Sequence, residues 1–98
     1  MLEIGVGEGK GLLMWQDFFP NAQIYGAEID PKRIFKKDRI EVLFCDQSKK
    51  EDLLKLLEKT GSDLDFVVDD ASHKPEDQVF ACLTLMPYLA KDAIYAIE

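Results

Sequence analysis

The chain is short of the residues that carry metal, disulfide and nucleic-acid chemistry. Its 98 residues include one histidine and two cysteines. Cys45 and Cys82 stand in apolar surroundings with no metal-ligand spacing, which reads as small, reduced core residues of a cytosolic protein. Basic residues are also few: twelve Lys and Arg face nineteen Asp and Glu, a net charge of −7. That balance argues against a nucleic-acid backbone as partner, because phosphate binding relies on positive patches. The one basic cluster, Lys32, Arg33, Lys36, Lys37 and Arg39, reads as a solvated connection. No apolar run approaches membrane length and no signal-peptide pattern is present, so the sequence reads as soluble. The length gives room for one domain with a real core, but is small for a complete enzyme of the α/β kind.

Against these shortages stands a concentration of glycine near the start. Leu2-Glu3-Ile4-Gly5-Val6-Gly7-Glu8-Gly9-Lys10-Gly11 runs a short apolar strand into a turn that must open a helix. Alternate glycines remove the Cβ atoms that would hold a ligand off the backbone, and the N–H groups of the following helix face the bound molecule. Several nucleotide-binding classes use such turns. Beyond it, strand-length apolar runs alternate with helical patterns, which argues for a parallel sheet with crossovers. The expected strands are Leu2 to Val6, Gln23 to Ile29, Ile40 to Cys45, Leu64 to Val68 and Ala93 to Ile97, nearly continuous in apolar character as covered parallel strands are.

Three helices are expected between them. The first spans about Lys10 to Phe19, stopped by Pro20-Asn21, with Leu12, Leu13, Trp15 and Phe19 turned inward. The second runs from Ser48 to about Lys59, with Ser48 and Glu51 at capping-box spacing, Leu53, Leu56 and Leu57 on one face, and Gly61 at its end. The third begins near Pro75 with Glu76 and Asp77 against the helix dipole, and Val79, Phe80, Leu83 and Met86 are expected to face the sheet before Pro87 shortens the last turn. Asp30 to Arg39 is too short for a full helix and is expected to hold one loose turn.

Chemistry gathers where the strands end, the place where open α/β sheets bind ligands. Glu28 closes the second strand, a position from which a carboxylate can accept both hydroxyls of a ribose. Asp30 is a weaker competitor, and the plainer alternative is an exposed acid in a turn. Cys45-Asp46-Gln47 brings polar side chains to the same rim, suitably placed for an adenine amino group. Asp69-Asp70-Ala71-Ser72-His73 packs two carboxylates and the only histidine into five residues. Adjacent carboxylates repel unless a cation or proton relieves them, and hard oxygen ligands suit Mg²⁺ or Ca²⁺ better than zinc. Glu98, ending the fifth strand, approaches the same rim. His73 is either a proton acceptor near neutral pH or an ordinary surface histidine.

Two other readings of the glycine loop fail on spacing. A P-loop needs four residues between its glycine and Gly-Lys; Gly5 to Gly9-Lys10 has three, and Gly11 stands where Ser or Thr belongs. A dinucleotide fingerprint starting at Gly5 and Gly7 needs glycine where Lys10 stands, and one starting at Gly7 and Gly9 needs it at Leu12.

Taken together, Glu3-x-Gly5-x-Gly7-x-Gly9, Glu28 in Tyr25-Gly26-Ala27-Glu28-Ile29-Asp30, and Cys45-Asp46-Gln47-Ser48 resemble the S-adenosylmethionine-binding half of a class I methyltransferase across nearly the whole chain. More narrowly, Asp46-Gln47-Ser48, Phe66-Val67-Val68-Asp69-Asp70-Ala71-Ser72-His73 and Ile94-Tyr95-Ala96-Ile97-Glu98 are similar to the metal-dependent O-methyltransferases of macrolide sugars and their cephalosporin-hydroxylase-like relatives. The resemblance implies a Rossmann-like, doubly wound α/β fold, a five-stranded parallel sheet of order 3-2-1-4-5 without the usual C-terminal antiparallel strands. It implies one cofactor-binding domain over residues 1–98 that looks like a truncated core, with its last strand as an open edge for self-association.

The same resemblance implies roles. Glu3, Gly5, Gly7, Gly9, Glu28, Asp46, Gln47 and Asp69 would bind the cofactor, with Glu3 near its ammonium, Glu28 at ribose and Asp46 at adenine. Asp70 and Glu98 would hold Mg²⁺, and His73 would be the general base for methylation of a small-molecule hydroxyl. Lys91-Asp92-Ala93 departs from the Pro-Gly-Gly common before the fifth strand but touches no expected ligand. The competing reading is a non-catalytic cofactor-binding or association remnant; a nicotinamide oxidoreductase has the poorest glycine spacing.

Overall fold

The apolar runs form the centre of a mixed sheet, seen in a computed structural model that describes residues 1–98. In chain order the elements are β1 (Leu2–Ile4), α1 (Lys10–Phe18), β2 (Ile24–Glu28), β3 (Lys36–Lys37), β4 (Ile40–Phe44), α2 (Lys50–Thr60), β5 (Phe66–Asp69), α3 (Pro75–Leu85) and β6 (Ile94–Ile97). The sheet order is β3-β4-β2-β1-β5-β6. Five strands are parallel in the expected 3-2-1-4-5 order, β1 lying between β2 and β5 with Ile4 level with Ala27 and Asp69. The correction is β3, a sixth strand of two residues that pairs antiparallel with the start of β4. It lies in the connection expected to hold only a turn, and that turn is present too, a 3-10 turn at Pro31–Arg33 capped by the Asp30 side chain.

Helices cover both faces, so the strands bury side chains on both. On one face Leu2, Ile4 and Val67 of the sheet meet Leu53, Leu56 and Leu57 of α2 and Ala81 and Leu85 of α3. On the other, Val6, Ile24, Ile40 and Val42 meet Leu12 of α1. This second layer is extended by aromatics: the Trp15 ring stands edge-on to Phe66 at 5.3 Å and stacks on Phe19 at 5.8 Å. No helix of the chain is long and apolar enough to cross a membrane.

Several local expectations are corrected by competition for the same groups. Ser48 does not cap α2: its hydroxyl donates to Asp46 Oδ1 at 2.6 Å, and the helix starts later, with Lys49 as an uncapped boundary. Leu13 is exposed, because the inward stripe of α1 is carried by Leu12 with Trp15 and Phe19 half-buried. In α3 the buried residues are Ala81 and Leu85, whereas Val79, Phe80, Leu83 and Met86 are exposed. Ala81 and Leu85, four apart, make the stripe against the sheet, and the larger apolar residues lie on the other side. Arg39 is no solvated cation either: its guanidinium donates to the carbonyls of Gln16, Phe19 and Ala22 at 2.6–2.7 Å, satisfying the end of α1 and the turn after it.

Candidate functional site

The C-terminal ends of β1, β2, β4 and β5 surround a cavity of about 640 Å³, a size suited to a small ligand or cofactor. Its wall takes Gly5 and Gly7 from the glycine loop, Glu28 and Ile29 from the end of β2, Asp46, Gln47 and Ser48 after β4, and Asp70, Ser72, Lys74 and Asp77 after β5. Strand order explains the place: chain connections leave in opposite directions from β1 and β5, and the gap between them opens a crevice.

The glycine loop is held by Glu28. Glu28 Oε1 accepts from the N–H groups of Val6 and Gly7 at 3.2 and 3.1 Å, and Oε2 accepts from Asp30 N at 2.8 Å. A carboxylate offers about four acceptor positions, so Glu28 keeps one for a ligand rather than the pair expected of it. Gly5 meets the other side of the crevice: at φ +87 a Cβ there would lie 2.5 Å from the Asp70 carbonyl oxygen and 2.6 Å from Ala71 Cα. Only glycine supports that backbone and that approach. Gly9 shapes the entry to α1 at φ 86 but lies outside the cavity wall.

Glu3 is buried beneath α1 and is likewise absent from the wall; its carboxylate lies where a side chain on Gly11 would stand, 2.8 Å from the position of a Cβ there. Burial pushes its pKa up, with the Trp15 indole working against that and Asp70 and Glu98 adding to it. Asp46 lines the cavity and is held below the ordinary aspartate value by the Ser48 hydroxyl and N–H. Cys45, also in the wall, is a buried free thiol pushed up to about 12 by its burial.

Asp69 is fully buried, not open to the cavity. Its Oδ2 accepts from Gln47 Nε2 at 2.8 Å and its Oδ1 from Ala71 N at 3.3 Å, yet burial outweighs both and raises its pKa. Asp70 turns into the cavity, and His73 Nε2 stands 3.6 Å from its Oδ1. His73 has φ 62, a left-handed backbone that costs a non-glycine residue energy, and its side chain is exposed. Its Nδ1 lies 3.3 Å from the main-chain oxygen of Glu98. Nε2 is the ring nitrogen directed at Asp70.

The structure therefore brings Gly5, Gly7, Glu28, Asp46, Gln47 and Asp70 to one cavity, places His73 and Glu98 beside it, and leaves Glu3, Gly9 and Asp69 behind the wall. No group of three or more metal-capable side chains forms. Sequence reasoning missed Ser72, Lys74 and Asp77 as wall residues; their signal was proximity to the strand-end acids. The Ser72 hydroxyl donates to Asp77 Oδ2 at 3.0 Å and accepts from Lys74 N at 3.2 Å, which ties the loop to the start of α3.

A doubly wound sheet with a glycine turn after its first strand and acids closing the next strands defines the class by fold: an α/β core with a cavity at its strand ends. No protein-family model matches the chain. Its relatives are more specific. It is 36% identical, along its full length, to the 8-demethyl-8-(2-methoxy-alpha-L-rhamnosyl)-tetracenomycin-C 3'-O-methyltransferase of Streptomyces olivaceus, of which it covers 27%. It is 35% identical to the mycinamicin VI 2''-O-methyltransferase of Micromonospora griseorubida, again over the full chain and 26% of the relative. Among solved structures, the MycE methyltransferase of mycinamycin biosynthesis, in complex with Mg and SAH, superposes with a TM-score of 0.91 at 36% identity, covering 99% of this chain and 27% of that one. A carbonyl reductase from Pseudomonas aeruginosa, at 14% identity and a TM-score of 0.69, shares the fold alone. The chain is thus similar over its full length to O-methyltransferases and spans about a quarter of the length of the curated relatives it matches.

Proposed function

We propose that the chain is the S-adenosylmethionine-binding core of an O-methyltransferase acting on a sugar hydroxyl of a small natural product. The observation that carries the reading is the charge of the cavity wall: Glu28, Asp46, Asp70 and Asp77 face one cation, Lys74. A wall of that sign favours a ligand bearing sulfonium and ammonium charges and disfavours the pyrophosphate of a dinucleotide. Homology to O-methyltransferases supports the same choice.

In this reading Gly5 and Gly7 admit the cofactor's amino acid portion, with Gly9 setting the turn. Glu28 offers its remaining acceptor position to a ribose hydroxyl, and Asp46 faces the adenine. Glu3 acts on the ammonium only at a distance, from beneath α1. Asp70 and Glu98 are the residues to hold Mg²⁺; an ion of that kind needs few carboxylates and retains water, so two hard donors fit its chemistry although they form no preassembled cage. When bound, the ion would orient the acceptor's oxygens and favour the deprotonated hydroxyl. His73 Nε2 takes the hydroxyl proton, and the neighbouring Asp70 carboxylate stabilises the imidazolium that results. The partner is thus a small-molecule methyl acceptor, with neither nucleic acid nor membrane involved. The free cysteines suit a cytoplasmic setting.

Calorimetric titration tests the reading. S-adenosylmethionine should bind more tightly than the neutral product S-adenosylhomocysteine, the gap should narrow as salt rises, and NAD should not bind. Binding of NAD in preference to both sulfur compounds would overturn it.

A further inference from the structure

β4 and β5 are not neighbours in the sheet; β2 and β1 lie between them. Three strand spacings separate them, about 14 Å at the usual spacing of about 4.8 Å per strand. Their C-terminal loops are nevertheless joined by two side chains. Gln47, from the loop after β4, donates through Nε2 to Asp69 Oδ2 at 2.8 Å and accepts at Oε1 from Ser72 N at 3.3 Å. Asp69 uses its other oxygen to accept from Ala71 N at 3.3 Å. Gln47 is 6% exposed and Asp69 0%, so water has little access to the bond between the two side chains. The orientation of the amide is dictated by its partners, since a carboxylate must receive the NH₂ and an N–H must meet the oxygen.

The bridge ends on the segment that carries Asp70 and His73. Between the two residues it holds lies Asp70, and the next residue after Ser72 is His73 with its left-handed backbone. We infer that Gln47 and Asp69 are a positioning pair that locks the β4 rim to the β5 rim and fixes the loop bearing Asp70 and His73, rather than groups that contact the cofactor. The inference takes from the methyltransferase reading only what that loop is for; the bridge itself stands without it. A buried polar pair of this kind, with each side-chain N and O atom bonded, specifies one arrangement of two segments that the sheet alone leaves far apart.

Exchange of donor and acceptor tests it. Gln47→Glu sets two carboxylates against each other. Asp69→Asn introduces an NH₂ that must face either Gln47 Nε2 or the Ala71 N–H, donor against donor. The double variant restores every bond, with polarity reversed only between the two side chains. The introduced amide then donates to the introduced carboxylate, its carbonyl oxygen still accepts from Ala71 N, and the second carboxylate oxygen accepts from Ser72 N. The readouts are the Ser72 amide and His73 imidazole resonances of the free protein, the latter unique because the chain has one histidine, and S-adenosylmethionine affinity by calorimetry. Each single variant should move both resonances and weaken binding about tenfold, and the double should return the resonances to the parent positions and the affinity to within about twofold. Single variants that leave both resonances in place, or a double showing the two single effects added, would overturn the pair. If a single variant fails to fold, the double decides alone: recovery of the parent spectrum supports the pair and failure to fold overturns it. A parent that does not bind S-adenosylmethionine sinks the functional reading, while the resonances still judge the bridge.

Discussion

The two sides of the crevice are built differently. On the β2 side, Glu28 is buried and three backbone N–H groups converge on its carboxylate, so the glycine loop is held from within. On the β5 side, Asp70 and His73 are substantially exposed, face each other at 3.6 Å, and depend on a strained backbone at His73. A binding surface gains from being rigid before the ligand arrives, since ordering it later would cost affinity. A reacting group must instead remain accessible, and strain tolerated at such a residue is characteristic of functional positions. The difference fits the proposed division, with recognition on the first side and chemistry on the second.

The largest test separates the sides by function. His73→Ala should lower methyl transfer to a sugar hydroxyl by about a hundred- to ten-thousand-fold, the range associated with a positioned base. Cofactor affinity measured by calorimetry should stay within about twofold of the parent, because His73 lies outside the cavity wall. A comparable loss of affinity would mean that the two sides do not divide the work. Next in size is Gly5→Ala, which attacks their point of contact. The new methyl would overlap the Asp70 carbonyl and Ala71 Cα at a backbone of φ +87. Overpacking and left-handed strain together should cost about 3 kcal/mol in chemical denaturation, enough to unfold much of a marginal domain.

How much of this was legible in the sequence follows the same division. Strand order and the rim acids could be read because buried parallel strands are nearly continuous apolar runs, and a strand's end fixes where its last side chain points. Glu28 could be placed by that rule, but its bonds to Val6 and Gly7 could not, since they depend on the path of a loop more than twenty residues earlier. The capping box at Ser48 matched a spacing while Asp46, two residues earlier, took the hydroxyl. In α3 size misled: Ala81 and Leu85 are the buried stripe, and bulkier neighbours suggested a different face. β3 was invisible because two lysines carry no apolar pattern, and only pairing with β4 makes them a strand. Asp69 and Asp70 are adjacent and acidic, yet alternation along β5 buries one and turns the other to the cavity. The sequence makes them look like one cluster, and the fold gives them opposite environments.

A smaller effect compares one carboxylate from each side. Glu28→Ala leaves the N–H groups of Val6, Gly7 and Asp30 without an acceptor in a largely buried setting, which should cost about 2 kcal/mol of stability and weaken S-adenosylmethionine binding. Asp70→Ala removes a half-exposed side chain that stands 3.6 Å from the exposed His73 ring, and should change stability by less than about 0.5 kcal/mol. Urea denaturation of the two variants side by side measures the contrast. Equal losses would show that the β2 side is no more self-contained than the β5 side.

The smallest effect concerns Glu3, which lies beneath the rim rather than on it. Burial raises its folded-state pKa above the ordinary value of 4.5. The folded protein therefore binds this proton more tightly than the unfolded chain does. The stabilisation is fully present below pH 4.5 and is lost as pH rises through the elevated folded value. Glu3→Gln has no such proton to release. Relative to the parent, the variant should gain in stability as pH is raised across that window, most visibly in thermal midpoints followed from about pH 4 to about pH 7. If Glu3 instead gripped a cationic ligand directly, the substitution would weaken S-adenosylmethionine binding as strongly as loss of Glu28. A pH-dependent stability change with affinity preserved would confine Glu3 to the layer between β1 and α1, and leave the charge of the cavity wall to Glu28, Asp46, Asp70 and Asp77.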